Sequence, residues 1–321
     1  MRAAVRVLML AGFVFGLYWA TAALTLRAAA DNALATQHAL GGSGRLTLGG
    51  FPGAFSAELA APRLVRGLWS WQAARLQMSA SSLAPWYWQL DLPSAQIVQI
   101  GWLRLALDSD AMQAALTLRP GPDLALRGAA FSADALQIRA PGLAPYAAER
   151  LRLTLDETAA GGARYMLQAD LAGVDLPPEW ATARGLAPHA ESLTAAMVLT
   201  FSAPLNRHAG RTPPRLTGVE VQSAALHWGA ARLHVDGSLR VDAGGRLAGR
   251  LMLHTTDWKA VHALALGLGQ MQPQQAPTVA AILAELARAA GTADGLTIPL
   301  DFRAGWAFLG PIPLGQARYL Q

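Results

Sequence analysis

Cysteine is missing from all 321 residues, and lysine nearly so, with Lys259 standing alone beside 25 arginines. Without a thiol there is no disulfide framework, no thiolate metal site and no lipobox cysteine to acylate. That absence fits an oxidising compartment without requiring one. Charge is sparse as well: charged residues make up 15% of the chain, and the net +5 is scattered rather than massed. A nucleic-acid reader concentrates its basic residues in a patch or stripe, so this class is set aside. Catalytic signatures are lacking too. There is no H-E-x-x-H and no G-x-x-x-x-G-K-[ST], and Gly42-Ser43-Gly44 lacks the spacing of a nucleophile elbow. The expectation is a chain that is not an enzyme and carries no cofactor or resident metal.

What is present begins with a hydrophobic run. Val7 to Leu26 is twenty residues without a charge, preceded by Arg2 and Arg6 and followed by Arg27. A helix rising about 1.5 Å per residue over this length covers the ~30 Å hydrocarbon core of a bilayer, whereas a secretory h-region holds about 7 to 15 residues. Val7, Leu8, Leu10, Phe13, Val14, Phe15, Leu17, Leu24 and Leu26 supply the apolar bulk of this expected anchor. No acid precedes Asp31, so positive-inside bias keeps the N-terminus cytoplasmic and sends the remaining chain across. A cleaved signal peptide is the competing reading, because Ala28, Ala29 and Ala30 offer the small residues of a cleavage site. Helix formers continue to Gly41-Gly42, so residues 1–40 read as a transmembrane helix and its extension.

Beyond Gly41 the hydrophobic period changes to two. Arg45-Leu-Thr-Leu alternates, Gly49-Gly-Phe-Pro-Gly turns, and Phe55, Ala57 and Leu59 resume the alternation. Short strands broken by Pro120-Gly-Pro, Pro141-Gly and Gly161-Gly predict a first antiparallel β region over residues 41–205, with one short helix after Pro177 and Pro178. Residues 206–215, polar and rich in proline, read as a linker. A second β region follows over residues 216–321. Its strands at 216–221, 224–228, 232–236 and 238–242 lead through Asp242-Ala-Gly-Gly into a hairpin. Two helices interrupt it, Trp258 to Leu268 behind an Asp257 N-cap and Val279 to Ala290 behind a Thr278 N-cap, the second with an apolar stripe of Val279, Ile282, Leu283 and Leu286 that suits packing on a sheet. The predicted fold class is mainly β, with long curved antiparallel sheets and a few packing helices behind an N-terminal transmembrane helix.

Candidate binding residues are few. Trp69 and Trp71, and again Trp86 and Trp88, sit two apart, so each pair projects from one face of a strand. Core packing accounts for such pairs, and the sharper reading is an aromatic-lined groove for an acyl chain. His227, His234 and His254 fall on neighbouring predicted strands, where three imidazoles hold zinc only if they converge; histidines facing solvent are the simpler account. Asp170, Asp175 and Glu179 surround a proline turn and suit either a cation or a solvated loop.

Several segments carry a resemblance: Gly49-Gly-Phe-Pro-Gly-Ala-Phe, Leu226-His-Trp-Gly-Ala-Ala, Asp236-Gly-Ser-Leu, Val241-Asp-Ala-Gly-Gly-Arg-Leu-Ala-Gly-Arg-Leu and Phe308-Leu-Gly-Pro-Ile-Pro-Leu-Gly. With the N-terminal anchor they resemble the bacterial envelope family catalogued as domain of unknown function 2125, over essentially the whole chain. Family members often begin the first strand region with Ser-Gly-Phe-Pro; here Gly49 takes the serine's place. The resemblance implies an anchored, mostly antiparallel β protein, held in the inner membrane with its bulk in the periplasm, and it implies no activity. Two functional expectations follow. One is the binding or transfer of a lipid or other hydrophobic molecule, motivated by 53% hydrophobic residues and the paired tryptophans. The alternative is a structural or interaction protein of the cell envelope whose sheet is closed and whose surface docks an envelope partner. An open apolar cavity favours the first and a filled sandwich the second.

Overall fold

The computed structural model describes residues 43–50, 53–142, 144–159, 162–209, 212–303, 305–310 and 312–316, so the expected membrane anchor and its extension lie outside the described residues. Among the described residues, no helix is long and apolar enough to cross a membrane. Eighteen strands and three helices lie among the described residues, and the strands pair antiparallel. The mainly β expectation therefore holds. The chain divides into two compact units, the first running to Thr117 and adding Ile138–Gly142, the second comprising Leu118–Gln137 and everything from Leu143 onward.

The first unit is a meander of long strands, each interrupted once. Its elements are β1 (Ser43–Gly49), β2 (Ala54–Arg66), β3 (Trp69–Ala73), β4 (Arg75–Ser81), β5 (Ala84–Leu92), β6 (Ala95–Ile100), β7 (Leu103–Asp108) and β8 (Ala111–Leu118). Strand β2 pairs with β3 over Arg66↔Trp69 to Arg63↔Gln72 and with β4 over Ala60↔Arg75 to Ala54↔Ser81. Strands β3 and β4 are thus two halves of one run, broken at Ala74. The partner break lies at Ala61, whose φ is 47° and whose N–H donates to the Ala74 carbonyl at 2.8 Å. Pro62, next in line, has no N–H to give the ladder. The interruption repeats across the sheet: Pro93-Ser94 separates β5 from β6, Ser109-Asp110 separates β7 from β8, and Ser109 N–H donates to Ser94 O at 2.9 Å. Proline and small polar residues thus fall at matching levels of neighbouring strands, and the pairing survives on either side.

The second unit is a simpler meander. Strand β9 (Leu126–Arg139) pairs with β10 (Tyr146–Glu157), followed by β11 (Arg164–Asp175), β12 (His189–Phe201), β13 (Leu216–Trp228), β14 (Ala231–Val241), β15 (Leu247–Thr255), β16 (Leu296–Arg303), β17 (Trp306–Leu309) and β18 (Ile312–Gln316), each paired with the next. Helix α1 (Pro178–Thr182) precedes β12, while α2 (Trp258–Gly267) and α3 (Ala276–Ala289) are inserted between β15 and β16. Residues 216–221 and 224–228, expected as two strands, are one strand, because a bulge between Val221 and Ala224 absorbs the extra residues without ending the ladder. The stretch 206–215 is the loop joining β12 to β13 inside this unit. Ser202 N–H donates to Arg215 O at 2.8 Å at its neck. Buried Tyr165 ties its first end, accepting from Leu205 N–H at 3.0 Å and donating to Leu126 O at 3.3 Å.

Helix α2 starts where the sequence places it, with the Asp257 carboxylate accepting from Ala260 N–H at 3.0 Å. Helix α3 does not. It begins at Ala276, with Pro277 in its first turn and no side-chain cap, so the expected Thr278 cap is displaced by a proline whose fixed φ already suits a first turn.

Candidate functional site

The site arises from strand register. In the second unit Leu233 faces Thr255, Leu253 faces Ile298, and Leu300 faces Leu309. Cross-strand partners project to the same side of a sheet. One face of β14 to β17 is therefore a patch of leucine and isoleucine. The other face carries the alternate residues: His254 Nε2 lies 2.8 Å from Asp236 Oδ1, and Arg250 is held by Asp301 at 2.6 Å. The Arg250 guanidinium keeps the Asp301 carboxyl below the usual carboxylate range. The polarity of the two faces decides which one the helices cover.

Helices α2 and α3 lie against the apolar face. Trp258, Val279, Leu283, Ala287, Leu296 and Ile298 form one buried cluster there. Helix α2 has a second commitment, since Leu264 packs with Ala181 and Leu186 from the α1 region and with Ala231. Gly267 brings its end within reach of that region: a Cβ there would stand 2.7 Å from Arg184 O. The imidazole Nε2–H of His262 donates to Ala276 O at 3.1 Å and joins the two helices. Lys259 pairs with Asp294 at 2.8 Å and ties the start of α2 to the loop between α3 and β16.

Held at these points, the helices do not close completely on the sheet. A cavity of about 430 Å³ remains between them and β14 to β17. Its floor is Leu233, Leu253, Ile298, Leu300 and Leu309, and Trp258, Val261, Ala265, Met271 and Leu283 stand above. Polar atoms come from Gln270, Gln274 and Gln275 in the α2–α3 connection, with His262, Thr255 and Thr278. Among the described residues, no Asp, Glu, Lys or Arg lines it. Its size falls within the ~300–1,000 Å³ of small-molecule sites, and its make-up, apolar walls with a few polar groups, is also theirs.

One donor in this region has no partner. Trp258 is 6% exposed, and its Nε1–H meets no acceptor among the described residues. A buried N–H left without a bond costs about 1–3 kcal/mol, so such groups are uncommon outside functional places. The cavity can accept an uncharged, largely apolar molecule.

The residues singled out in the sequence lie elsewhere. Trp71 is buried in the first unit and donates from Nε1 to Gln96 Oε1 at 2.7 Å, while Gln96 Nε2 donates to Pro93 O at 3.0 Å, so this tryptophan is a satisfied core group. Trp69, Trp86 and Trp88 are on β3 and β5, with Trp69 and Trp86 exposed. None of the four lines the 430 Å³ cavity. His227, His234 and His254 border a separate depression of about 570 Å³. Both His254 nitrogens are engaged, Nε2 with Asp236 and Nδ1 with Thr297 Oγ1 at 3.1 Å, and the described residues contain no group of three arranged to hold a metal. The acids near the proline turn have separate partners: Asp170 pairs with Arg150, and Asp175 accepts from His189 Nδ1 at 2.7 Å, which raises the His189 pKa above the usual imidazole value. The cavity residues went unnoticed in the sequence because they come from six elements. Only Val279 and Leu283 stood out, as part of the apolar stripe of α3.

A family model described as "Uncharacterized protein conserved in bacteria (DUF2125)" matches residues 19–318. No curated protein matches, and no solved structure matches.

Proposed function

The chain belongs to this family of uncharacterised proteins conserved in bacteria, and from that premise we propose that it binds a neutral hydrophobic molecule, an acyl compound with an ester or hydroxyl oxygen, in the cavity beneath α2 and α3. The expected N-terminal anchor keeps the protein at the inner membrane, with both β units on the periplasmic side, next to a source of such molecules. The observation that carries the reading is the apolar cavity, with no charged side chain among the described residues that line it. Two physical arguments support it. An apolar lining without charge disfavours an ionised ligand, because an unpaired charge transferred there is desolvated without compensation. A hydrocarbon chain, by contrast, gains about 25 cal/mol for each Å² of apolar surface it removes from water. The glutamines at the α2–α3 connection offer neutral donors and acceptors to a polar end.

The test is photocrosslinking in lipid nanodiscs, with the full chain and an acyl ester carrying a diazirine on its chain. Adducts are expected on Val261, Ala265 and Met271, and the bulky variant Ala265→Trp should remove them while leaving the melting temperature close to that of the parent. Adducts confined to residues 7–26, or undiminished in Ala265→Trp, would refute the proposal.

A further inference from the structure

A second place on the molecule shows apolar residues where hairpins normally carry polar ones. The β2–β3 hairpin turns on Gly67-Leu68, and the β6–β7 hairpin on Gly101-Trp102. Each turn has glycine first, at φ +60°, the backbone that a two-residue hairpin of this hand requires. The second turn residue points away from the sheet and is free to be polar. Here it is leucine, 81% exposed, and tryptophan, 92% exposed. The two tips are side by side, since β3 pairs with β6 as Trp69↔Ile100 and Gly101 N–H donates to Leu68 O at 2.8 Å. Trp69 and Ile100, just behind the tips, are exposed as well.

Charge around the tips has one sign. Residues 62–73 and 95–107, which make up this end of the first unit, contain Arg63, Arg66 and Arg104 and no acid. Arg63 and Arg104 are exposed. The nearest carboxylates along these strands are Glu58, beyond the break at Ala61, and Asp108, which ends β7 at the interruption and pairs with Arg139 at 3.2 Å. Apolar residues at protruding tips, tryptophan at the margin and arginine behind form the order in which a bilayer presents its layers: acyl chains, interface, anionic headgroups. A protein partner would need an apolar patch ringed by acids, and two narrow tips offer it little area to bury.

We infer that the paired tips at Leu68 and Trp102 insert into the interface of a bilayer containing anionic lipid, so that the first unit holds the membrane by a contact distinct from the N-terminal anchor. The inference does not depend on the cavity in the second unit. Because the chain has no cysteine, a single thiol can report on one position. The full chain carrying Leu68→Cys, labelled with an environment-sensitive fluorophore, is reconstituted into vesicles of phosphatidylethanolamine and phosphatidylglycerol in equal parts, or of phosphatidylcholine alone. Asp110→Cys, within the interruption between β7 and β8 and away from the tips, is the reference. In the anionic vesicles the label at 68 should shift to the blue and be quenched by lipids with a nitroxide on the acyl chain, whereas the label at 110 should not. Trp102→Ser should reduce the quenched fraction severalfold, and Arg104→Gln by about fivefold. A label at 68 as aqueous as that at 110 in both vesicles overturns the inference. A blue shift without nitroxide quenching also overturns it, since it marks a protein contact instead.

Discussion

Trp258 carries two duties that its chemistry keeps separable. Its ring fills space in the cluster with Val279 and Leu283, and its Nε1–H is spare. Trp258→Phe retains most of the ring and deletes the donor. Because that donor is unsatisfied within the protein, its loss should leave stability unchanged or raise it by up to about 1 kcal/mol. Affinity for an acyl ester should change by less than about threefold, because the Nε1–H is closed off from the cavity. Competition against the photoreactive ester in nanodiscs measures it, and a loss of about tenfold or more would show that the ligand reaches the indole. A single chain of residues says where an N-cap or a turn falls: Asp257 and Asp242 do locally what their types suggest, Asp257 accepting from Ala260 and Asp242 from Gly244 and Arg246. It does not say that an indole will be left without a partner. That depends on which groups the fold brings near, and here they come from strands up to 40 residues distant, Leu296 and Ile298 among them.

Among the elements, β14 and β15 are pressed together by glycine. Gly237 has φ +132° and Gly249 φ +140°, and a Cβ at Gly249 would lie 2.3 Å from Ser238 O, with the counterpart at Gly237 2.4 Å from Arg250 O. Both backbones use a conformation that side chains rarely adopt, and each approaches the other's carbonyl. Gly249→Ala should therefore force the strands apart and cost about 2 kcal/mol or more, read as a lower denaturation midpoint at unchanged slope. An alanine variant as stable as the parent would mean that the strands are looser than their register implies. The alternation on either side of Asp242 made this hairpin the clearest in the sequence, yet the glycines' reason for being there is the opposite strand. The bulge at Val221/Ala224 was illegible for a similar cause, since the polar pair Gln222-Ser223 looks the same as a turn until the partner strand is known to continue past it. Helix α3 was legible from its stripe and misplaced at its start, because Thr278 is a strong capping type while Pro277 takes the first turn without a cap.

For the whole molecule, fold class could be read from period-two patterning and turn residues, and the family from its glycine and proline turns. The division into units could not. The polar stretch 206–215 has the composition of a linker but closes a hairpin, whereas the first unit ends near Thr117 and regains Ile138–Gly142 from β9, without a change in composition to announce it. The cavity escaped sequence reading because its floor is made by register across β14 to β17 and its roof by helices inserted between β15 and β16. Sequence pointed to tryptophans as the apolar site. Trp71 instead spends its polar atom inside the first unit's core, and Trp69 stands at the rim of the exposed tips. The measurement that tests hydrophobic-ligand binding most directly is mass spectrometry of the organic extract from the full chain, gently extracted from the cells that make it and washed with excess detergent, beside Ala265→Trp prepared in the same way. The expected result is one neutral acyl compound, at about one per chain and above its share of the membrane lipid, that is depleted in Ala265→Trp. An extract in which both proteins carry the same lipids in the proportions of the membrane would contradict it.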